Sequence, residues 1–329
     1  MKKRVLITGG SGFVGYHLIE AAISSGLEVY VAVRSSSSVA HLSIFDIKFV
    51  YPDFSSTESL IPLLEQGRYN YIVHASGITK AKSAEEYNKI NAEYSNNLAL
   101  AAVKADIPLE KFVFVSSLAA IGPLENLDGI IQDNTPARPV TLYGSSKMLA
   151  EQYLARITNL PLVIIRPTAV YGPREKDIFI LLKSIYKGIE PHIGKFSQKL
   201  SFIYVKDLAN VIVDSLSSAV TNAAYNVSDG YQYDRYALAE GVKKAMHKKT
   251  FKFHIPVFFV SFLATVMEKI YSNRDASPTL NKEKMNELTA LNWICSIEHA
   301  RKDLSFKPAY NLNQGLEETV RWYKQNNWL

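Results

Sequence analysis

The chain has 329 residues, of which 47% are hydrophobic and 21% charged, a balance typical of a packed globular enzyme that excludes wholesale disorder. The formal net charge of +6 includes a basic cluster at residues 243–249, but no nucleic-acid recognition motif accompanies it, so we expect an anionic small molecule rather than nucleic acid as partner. The single cysteine, Cys295, excludes an internal disulfide and predicts a reducing, cytoplasmic setting.

Two apolar segments bear on membrane insertion. The run Val5-Leu6-Ile7 after the basic N-terminus ends after three residues, which predicts a strand rather than a signal peptide. The longest apolar run, 255–267, has 13 residues and is shorter than the roughly 20 needed to span a bilayer. We expect no membrane span, and a buried or interfacial helix over this run. Its aromatic residues are either plain core or the lining of a hydrophobic pocket: Phe258, Phe259 and Phe262.

Short β-rich runs alternate with helical stretches in the first half of the chain. The predicted strands are 4–8, 28–33, 47–51, 71–74, 111–116 and 162–166, and the predicted helices are 12–25, 56–65, 84–105 and 143–158. Further along we predict strands 201–205 and 225–227 and helices 178–188, 207–218, 256–271 and 316–326.

Strands that are apolar on both faces and separated by helices predict an α/β fold, a Rossmann-type doubly wound parallel sheet. We assign residues 1–170 to this dinucleotide-binding domain, with 200–226 returning to it. Residues 171–199 and 227–329 are predicted to form a smaller, mostly helical substrate lobe.

A glycine-rich turn follows the first strand and opens the first helix. Gly9, Gly12 and Gly15 are spaced so that the chain can turn tightly, approach a pyrophosphate and pack the helix on the strand. The helix N-terminus adds a favourable dipole for the anion. The other predicted coenzyme contacts in this turn are Ser11, Phe13 and Val14.

Arg34 ends the second strand, where an acidic residue would bind the ribose 2′-hydroxyl of NAD and an arginine suits a 2′-phosphate. We therefore predict NADP(H) as the preferred coenzyme, with NAD(H) possible. Further coenzyme contacts are predicted after the third and fourth strands, at the carboxyl edge of the sheet: Asp53, Phe54, Ala75, Ser76 and Gly77.

Tyr143 and Lys147 are four residues apart on a predicted helix and therefore share one face. A free phenol has a pKa of about 10, and we expect the ammonium of Lys147, with an oxidised nicotinamide, to lower it so that Tyr143 can transfer protons. Ser117, after the fifth strand, is predicted to hydrogen-bond the substrate oxygen. Ser116, Tyr143 and Lys147 are also predicted coenzyme contacts. No metal is expected.

Together these motifs resemble the extended short-chain dehydrogenase/reductase superfamily, or NAD-dependent epimerase/dehydratase family, over essentially the whole chain. The residues that carry the resemblance are the TGxxGxxG turn, Asp53, Ser117 five residues before Gly122, Tyr143 with Lys147, and the segments 166–174 and 202–209. It implies that Pro167 and Val170 line the nicotinamide pocket and that Asn91 supports the site. It also implies a homodimer in which helices near 91–103 and 143–156 form a four-helix bundle.

Two departures bear on the substrate. Arg34 is more similar to the dihydroflavonol reductase and hydroxysteroid dehydrogenase branches, and residues 92–95 lack the Gly-Thr that many nucleotide-sugar enzymes carry there. The first hypothesis is therefore an oxidoreductase that interconverts a secondary alcohol and a ketone or aldehyde. The alternative is a nucleotide-sugar epimerase or dehydratase without net coenzyme consumption, with Arg174, Lys176 and Lys195 as diphosphate contacts. A third is an NADP-binding regulator or a membrane-surface protein, in either case without turnover.

Overall fold

A parallel β-sheet forms the centre of the molecule in a computed structural model that describes residues 2–271 and 281–329. The strands, in chain order, are β1 (Arg4–Thr8), β2 (Glu28–Ala32), β3 (Lys48–Val50), β4 (Tyr71–His74), β5 (Lys111–Val115), β6 (Leu162–Pro167), β7 (Ala169–Tyr171), β8 (Ile189–Ile193), β9 (Lys199–Leu200), β10 (Phe202–Tyr204), β11 (Ala223–Val227), β12 (Tyr233–Asp234) and β13 (Phe251–Ile255). The central sheet has seven strands in the order β3-β2-β1-β4-β5-β6-β11, each parallel to its neighbour.

Helices cover both faces of this sheet. They are α1 (Phe13–Ser24), α2 (Thr57–Gly67), α3 (Ala84–Asn88), α4 (Tyr94–Lys104), α5 (Leu142–Ala155), α6 (Asp177–Tyr186), α7 (Val205–Ser215), α8 (Ala237–Met246), α9 (Val257–Tyr271), α10 (Lys282–Thr289), α11 (Glu298–Leu304) and α12 (Leu312–Gln325). α1 packs against α7 on one face, while α2 packs against α4, and α4 against α5, on the other. The predicted Rossmann-type fold is confirmed.

Alternation along the strands explains why both faces are covered. In β1, Val5 and Ile7 enter the core beneath α1 and α7, whereas Leu6 enters the core beneath α2, α4 and α5. The same alternation occurs in β5, where Val113 faces the first core and Phe114 the second. Because successive strand residues point to opposite faces, a continuous apolar run can satisfy two helical layers.

The chain order reverses between β1 and β4, which are neighbours in the sheet. In an open α/β sheet a ligand binds in the crevice outside the carboxyl ends of the strands at such a switch point. The loops that follow β1 and β4 are therefore the expected place for a ligand site.

The C-terminal part is mostly helical, with a core in which α6, α8 and α12 surround β7 and β10. The sequence analysis missed β8 and β13, which pair in parallel with Ile189 opposite Phe251. Their alternate residues are charged or histidine, and each partner lies about 60 residues away in the sequence, so neither run resembles a strand of a buried parallel sheet. Residues 272–280 of the predicted lobe lie outside the described residues.

Most predicted helices lie within three residues of their predicted bounds, and two differ more. The helix predicted over 84–105 is divided into α3 and α4 by a π-helical turn, Lys89–Glu93. The last helix begins earlier than predicted because Asn311 and Gln314 form a reciprocal capping box. Among the described residues, no helix has the length and apolar character to cross a membrane.

Candidate active site

The glycine-rich turn after β1 is packed so tightly that side chains are excluded. Gly9 has a φ of +73°, and a Cβ atom there would lie 2.7 Å from the Ala75 carbonyl oxygen. A Cβ atom on Gly15 would lie 2.1 Å from the Gly9 oxygen. Gly12 caps α1 without a side-chain hydrogen bond, so the N–H groups of the first turn remain available to an anion. These features fit a dinucleotide pyrophosphate. Ser11, Phe13 and Val14 lie partly buried in the same turn.

The predicted adenosine contacts follow β2 and β3 at the same edge of the sheet. Arg34 is exposed, in a turn closed by a 2.9 Å hydrogen bond from Ser37 N to the Arg34 oxygen. Asp53 is also exposed, and its Oδ1 accepts from Ser55 N at 2.9 Å. Interaction with the Ser55 side chain, and then this backbone bond, holds the pKa of the carboxyl below its usual value. Phe54 is partly buried, with its ring 6.2 Å from that of His74.

His74 anchors the loop after β4. Its Nδ1 lies 2.8 Å from Thr8 Oγ1 and its Nε2 lies 2.8 Å from Ser95 Oγ. Burial, together with the nearby charge of Lys147, lowers the pKa of His74 to about 3, so the ring is neutral near pH 7. Sequence analysis assigned no role to this histidine, although its position at the end of a buried strand was visible.

Residues 75–77 connect the coenzyme edge to the predicted catalytic lysine. Ala75 contacts Gly9, and Ser76 N donates to Thr8 Oγ1 at 3.1 Å. A Cβ atom on Gly77 would lie 2.9 Å from Asn91 Oδ1 and 3.4 Å from Lys147 Nζ. The structure therefore brings Gly77 next to Lys147, as a shared coenzyme site requires.

Tyr143 and Lys147 lie one turn apart at the start of α5. Thr141 caps this helix by accepting a 3.0 Å hydrogen bond from Gly144 N. The helix packs closely on the 3-10 turn that follows Ser117, because a Cβ atom on Gly144 would lie 2.3 Å from the Ala119 oxygen. This approach brings Ser117 near Tyr143, close enough for its side chain to lower the pKa of the phenol. Ser117 Oγ also accepts from Ala119 N at 3.2 Å. All three predicted catalytic residues thus lie on segments at the carboxyl edge of the sheet.

The protein's own groups raise the pKa of Tyr143 above that of a free phenol. Burial raises the pKa of Tyr143 to about 12, and the hydrogen bond with Ser117 only partly offsets this effect. Burial also lowers the pKa of Lys147 to about 8, against the opposing charge of Glu151. The Lys147 ammonium donates to the Val115 oxygen at 3.0 Å and lies 4.7 Å from the centre of the Phe114 ring. The protein's own groups therefore keep Tyr143 protonated at neutral pH.

A buried polar network that sequence analysis did not find supports α5. Ser116 donates to Glu151 Oε1 at 2.5 Å, so its hydroxyl is engaged within the protein rather than directed at a coenzyme. Glu151 also receives Arg166 Nε at 3.0 Å and Nη2 at 2.6 Å. Arg166 Nη1 donates to the backbone carbonyl oxygen of Asp133 at 2.8 Å. Glu151 lies one helical turn after Lys147, and this spacing is the sequence signal from which the network could have been predicted.

Asn91 lies fully buried in the π-helical turn and joins two segments of the site. Its Oδ1 accepts from Ile78 N at 2.8 Å, and its Nδ2 donates to Ser146 Oγ at 3.0 Å. π-Helical turns are frequent at functional sites, because they re-aim side chains. Pro167 is buried at the end of β6, and Val170 is partly buried in β7, on the carboxyl side of the sheet.

The helix α10 contacts the start of α5. Glu283 Oε1 accepts from Leu142 N at 2.5 Å, and Asn286 Nδ2 donates to the Val140 oxygen at 3.3 Å. The charge of Glu287 contributes to the raised pKa of Tyr143. A cleft of about 940 Å³ lies between α10 and the 121–140 loop, but Ser117, Tyr143 and Lys147 do not line it.

The three basic residues predicted as diphosphate contacts do not influence the pKa of one common neighbour. Arg174 and Lys176 both help to lower the pKa of His41, although burial is the larger cause. The Arg174 guanidinium lies 3.8 Å from the centre of the Tyr16 ring on α1. Lys195 instead helps to lower the pKa of His254 in β13, where burial is again the larger cause. Among the described residues, no group of three or more histidine, cysteine, aspartate or glutamate side chains could hold a metal ion.

Residues 5–228 match the family described as NAD dependent epimerase/dehydratase, and these residues contain both the glycine turn and the Tyr143–Lys147 pair. The chain belongs to this family. It is therefore an enzyme of the extended short-chain dehydrogenase/reductase superfamily, as the sequence motifs predicted.

Relatives in this family match the chain from end to end. It is 27% identical to a UDP-glucose 4-epimerase of Vibrio cholerae, over 99% of this chain and 97% of that one. It is 25% identical to a decarboxylating sterol-4-alpha-carboxylate 3-dehydrogenase of Dictyostelium discoideum, over 96% and 99%. The UDP-glucuronic acid 4-epimerase of Bacillus cereus, solved in complex with NAD, shares the fold with a TM-score of 0.77 at 21% identity, over 98% and 99%.

Proposed function

We propose that the chain is a nucleotide-sugar epimerase or dehydratase. It would oxidise a hydroxyl of the sugar to a ketone and return the hydride to the sugar within one turnover. This is the alternative of the two enzymatic hypotheses drawn from the sequence. The observation that supports it is the placement of Ser117 beside Tyr143, and of Lys147 beside Gly77, at the edge of the sheet that carries a turn built for a dinucleotide. The full-length similarity to UDP-glucose 4-epimerase supports it over a plain secondary-alcohol oxidoreductase.

Each side chain has a distinct task in this proposal. Ser117 donates a hydrogen bond to the substrate oxygen, and Tyr143 moves the proton of that oxygen. Lys147 holds the ribose hydroxyls of the nicotinamide and supplies positive charge. A bound nicotinamide would accept the hydride from the carbinol carbon and return it. Because the pKa of Tyr143 is about 12, this residue is ready to donate a proton to a ketone, and it needs added positive charge to accept one.

The coenzyme would lie along the carboxyl edge from the glycine turn to α5. The residues proposed to contact it are those predicted from the sequence, with Ser116 contributing through its backbone. The family is NAD-dependent by description, and its NAD-bound neighbour supports NAD(H). We further propose a preference for NADP(H), because Arg34 is exposed where the adenosine ribose is expected. The substrate would bind to the lobe formed by 171–199 and 227–329.

The decisive experiment is turnover without net coenzyme consumption. Purified protein is incubated with NAD⁺ or NADP⁺ and with UDP-glucose, UDP-galactose or dTDP-glucose, while products and reduced coenzyme are followed separately. We expect a converted sugar nucleotide with no stoichiometric accumulation of reduced coenzyme. Conversion that consumes one coenzyme per product would contradict the proposal.

Tyr143→Phe is the matched variant for this assay, since it removes the hydroxyl and keeps the ring. We expect turnover to fall by roughly 100-fold or more, the scale of general acid–base catalysis, with coenzyme affinity little changed. A variant with wild-type turnover would remove Tyr143 from the mechanism.

A second candidate keeps the same site but makes the reaction a net oxidation or reduction of a hydrophobic secondary alcohol or ketone. The full-length similarity to a sterol-4-alpha-carboxylate 3-dehydrogenase favours it. Stoichiometric oxidation of NADPH by a hydrophobic ketone, with sugar nucleotides unchanged, would select this candidate instead. The regulator hypothesis is disfavoured, because the family is one of enzymes.

A further inference from the structure

The outward face of α9 carries large apolar side chains. Val260 and Ala264 pack inward with Met285, whereas the exposed fractions of Phe258 and Phe262 are 76% and 62%. Three further exposed apolar residues of this helix are Phe259, Leu263 and Ile270. No charged residue occurs between positions 257 and 267. A surface helix normally presents polar side chains to water, so this face is built to contact something else.

The apolar surface continues onto the two-stranded sheet of β8 and β13. Ile193 and Ile255 pack with the buried face of α9, so the odd-numbered residues of both strands face this helix. On the same face, at the opposite end of the strands, Phe251 is 74% exposed and Ile189 is 45% exposed. We call α9 together with Ile189 and Phe251 the apolar platform.

Lysines border the platform. Lys187 comes two residues before Ile189, while Lys248 and Lys249 come just before Phe251, and all three are exposed. The Lys248 ammonium lies 5.1 Å from the centre of the Tyr186 ring, which is itself 42% exposed.

Acidic residues are scarce in the segments that form this border. Segments 183–195 and 243–255 together contain one acidic residue, Glu190. It is fully buried on the other face of the sheet, where it pairs with Lys243 at 2.8 Å and His192 at 2.9 Å. The acidic residue of α9, Glu268, helps to raise the pKa of Glu283 and therefore lies toward α10. The positive charge of the lysines beside the platform therefore faces outward.

We infer that the platform docks this enzyme onto an anionic lipid bilayer. Aromatic and aliphatic side chains on one face of a helix, bordered by lysines, are the features with which interfacial helices enter the headgroup region of a membrane. Phe258 and Phe262 would enter the acyl boundary while Lys187, Lys248 and Lys249 contact anionic headgroups. Over the described residues α9 has 15 residues, fewer than the roughly 20 needed to span a bilayer, so it would lie along the surface.

The test is sedimentation of the full-length protein with large vesicles. Vesicles of phosphatidylcholine mixed with phosphatidylglycerol are compared with vesicles of phosphatidylcholine alone, at low and at high salt. We expect the wild type to bind the anionic vesicles, with binding weakened by salt. A wild type that stays in the supernatant with both vesicles would overturn the inference.

Matched variants separate the two parts of the surface. Phe258→Ser with Phe262→Ser, and separately Lys248→Glu with Lys249→Glu, should each weaken binding at least about tenfold. Ile44→Ser, at a 70% exposed site elsewhere, and Lys302→Glu with Lys307→Glu, which changes the net charge equally, should bind as the wild type does. All variants are first checked for an unchanged melting temperature. Equal losses in variants and controls would also overturn the inference.

Two further measurements distinguish failure of the docking inference from failure of the proposed function. Tyr143→Phe should bind vesicles normally, so docking is judged independently of the proposed reaction. If ultracentrifugation shows a dimer that the double phenylalanine variant dissociates, and vesicles are not bound, the platform contacts a second copy of the chain and the lipid proposal fails.

Discussion

Lys147 holds its ammonium group in a buried position beside Val115 and Phe114. Burial lowers its pKa to about 8, and the Glu151 carboxylate limits that decrease. Its charge is therefore present at neutral pH and lost as the pH rises through about 8. Glu151 thus acts as a positioning residue, through charge and through its pairing with Arg166.

Glu151→Gln should move the alkaline limb of the pH–rate profile toward lower pH, because the Lys147 ammonium loses its nearby carboxylate. The measurement is kcat/KM against pH for wild type and variant, with melting temperatures recorded since Arg166 loses its partner. Glu298→Gln, at an exposed carboxylate on α11, should leave the limb in place. An unmoved limb in Glu151→Gln would assign Glu151 a structural role alone.

Arg34→Asp should change the coenzyme preference. Removing the guanidinium deprives a 2′-phosphate of charge-assisted hydrogen bonds, and the carboxylate can accept from a 2′-hydroxyl. We expect NADPH affinity to fall roughly 10- to 100-fold relative to NADH, measured by fluorescence titration. If the wild type already binds NADH more tightly than NADPH, the role given to Arg34 is wrong.

Sequence spacing predicted the residues of the candidate site but not their surroundings. Tyr143 and Lys147 could be paired because they are one helical turn apart, and Ser117 because it follows a buried strand. Glu287 comes from far along the chain and meets Tyr143 only in the folded protein. The burial that raises the pKa of Tyr143 could not be foreseen either, since neighbouring charges can be inferred from spacing but burial cannot.

At the scale of elements, the turn between β1 and α1 is packed too tightly to accept added side chains. Gly15→Ala would place a methyl group 2.1 Å from the Gly9 oxygen, a backbone atom that cannot move aside. We expect a loss of about 2 kcal/mol or more in unfolding free energy, and at least about tenfold weaker coenzyme binding. Urea unfolding and coenzyme titration measure the two effects.

The control for this prediction is Gly26→Asn. Gly26 has a φ of +78° and no heavy atom within 4 Å of an added Cβ, and asparagine tolerates that backbone region. Its stability should stay close to that of the wild type. A Gly15→Ala protein as stable as Gly26→Asn would show that the turn can relax.

The elements predicted best are those whose pattern is local. β1 and β4 were predicted with their observed bounds, because both are short apolar runs buried on two faces. β8 and β13 were missed because one face carries Glu190 and His192, which become acceptable in a strand only through partners on distant segments. The π-helical turn around Asn91 has no signal in residue periodicity.

The whole molecule should lose stability in acid partly through His74. Its pKa is about 3 in the folded protein and 6.5 in an exposed chain, so between these values the unfolded state binds a proton that the folded state excludes. Stability should therefore fall as the pH drops below 6.5. At pH 5 the loss from this group is about 2 kcal/mol.

His74→Gln removes that titration and keeps groups that can hydrogen-bond Thr8 and Ser95. Denaturant unfolding at pH 7 and pH 5 should show a smaller acid-induced loss in this variant than in the wild type. His247→Asn, at an exposed left-handed position, is the control and should keep the wild-type difference. Equal pH dependence in all three proteins would contradict the prediction.

Assembly and location in the cell remain predictions at this scale. Leu100 and Val103 of α4 and Tyr153 of α5 line a hollow of about 350 Å³ on the face predicted to form a homodimer. Analytical ultracentrifugation of wild type and Leu100→Glu tests that assembly. We retain the expectation of a cytoplasmic enzyme, which localisation of a tagged chain would check.

The hydrogen bond from Leu142 N to Glu283 joins the first turn of α5 to the C-terminal lobe. A ligand that displaced α10 would also pull on the backbone beside Tyr143. Selecting the right molecule and aligning its reactive oxygen thus share one mechanical link. An engineer who redesigned this lobe for another substrate would have to preserve that link or rebuild it.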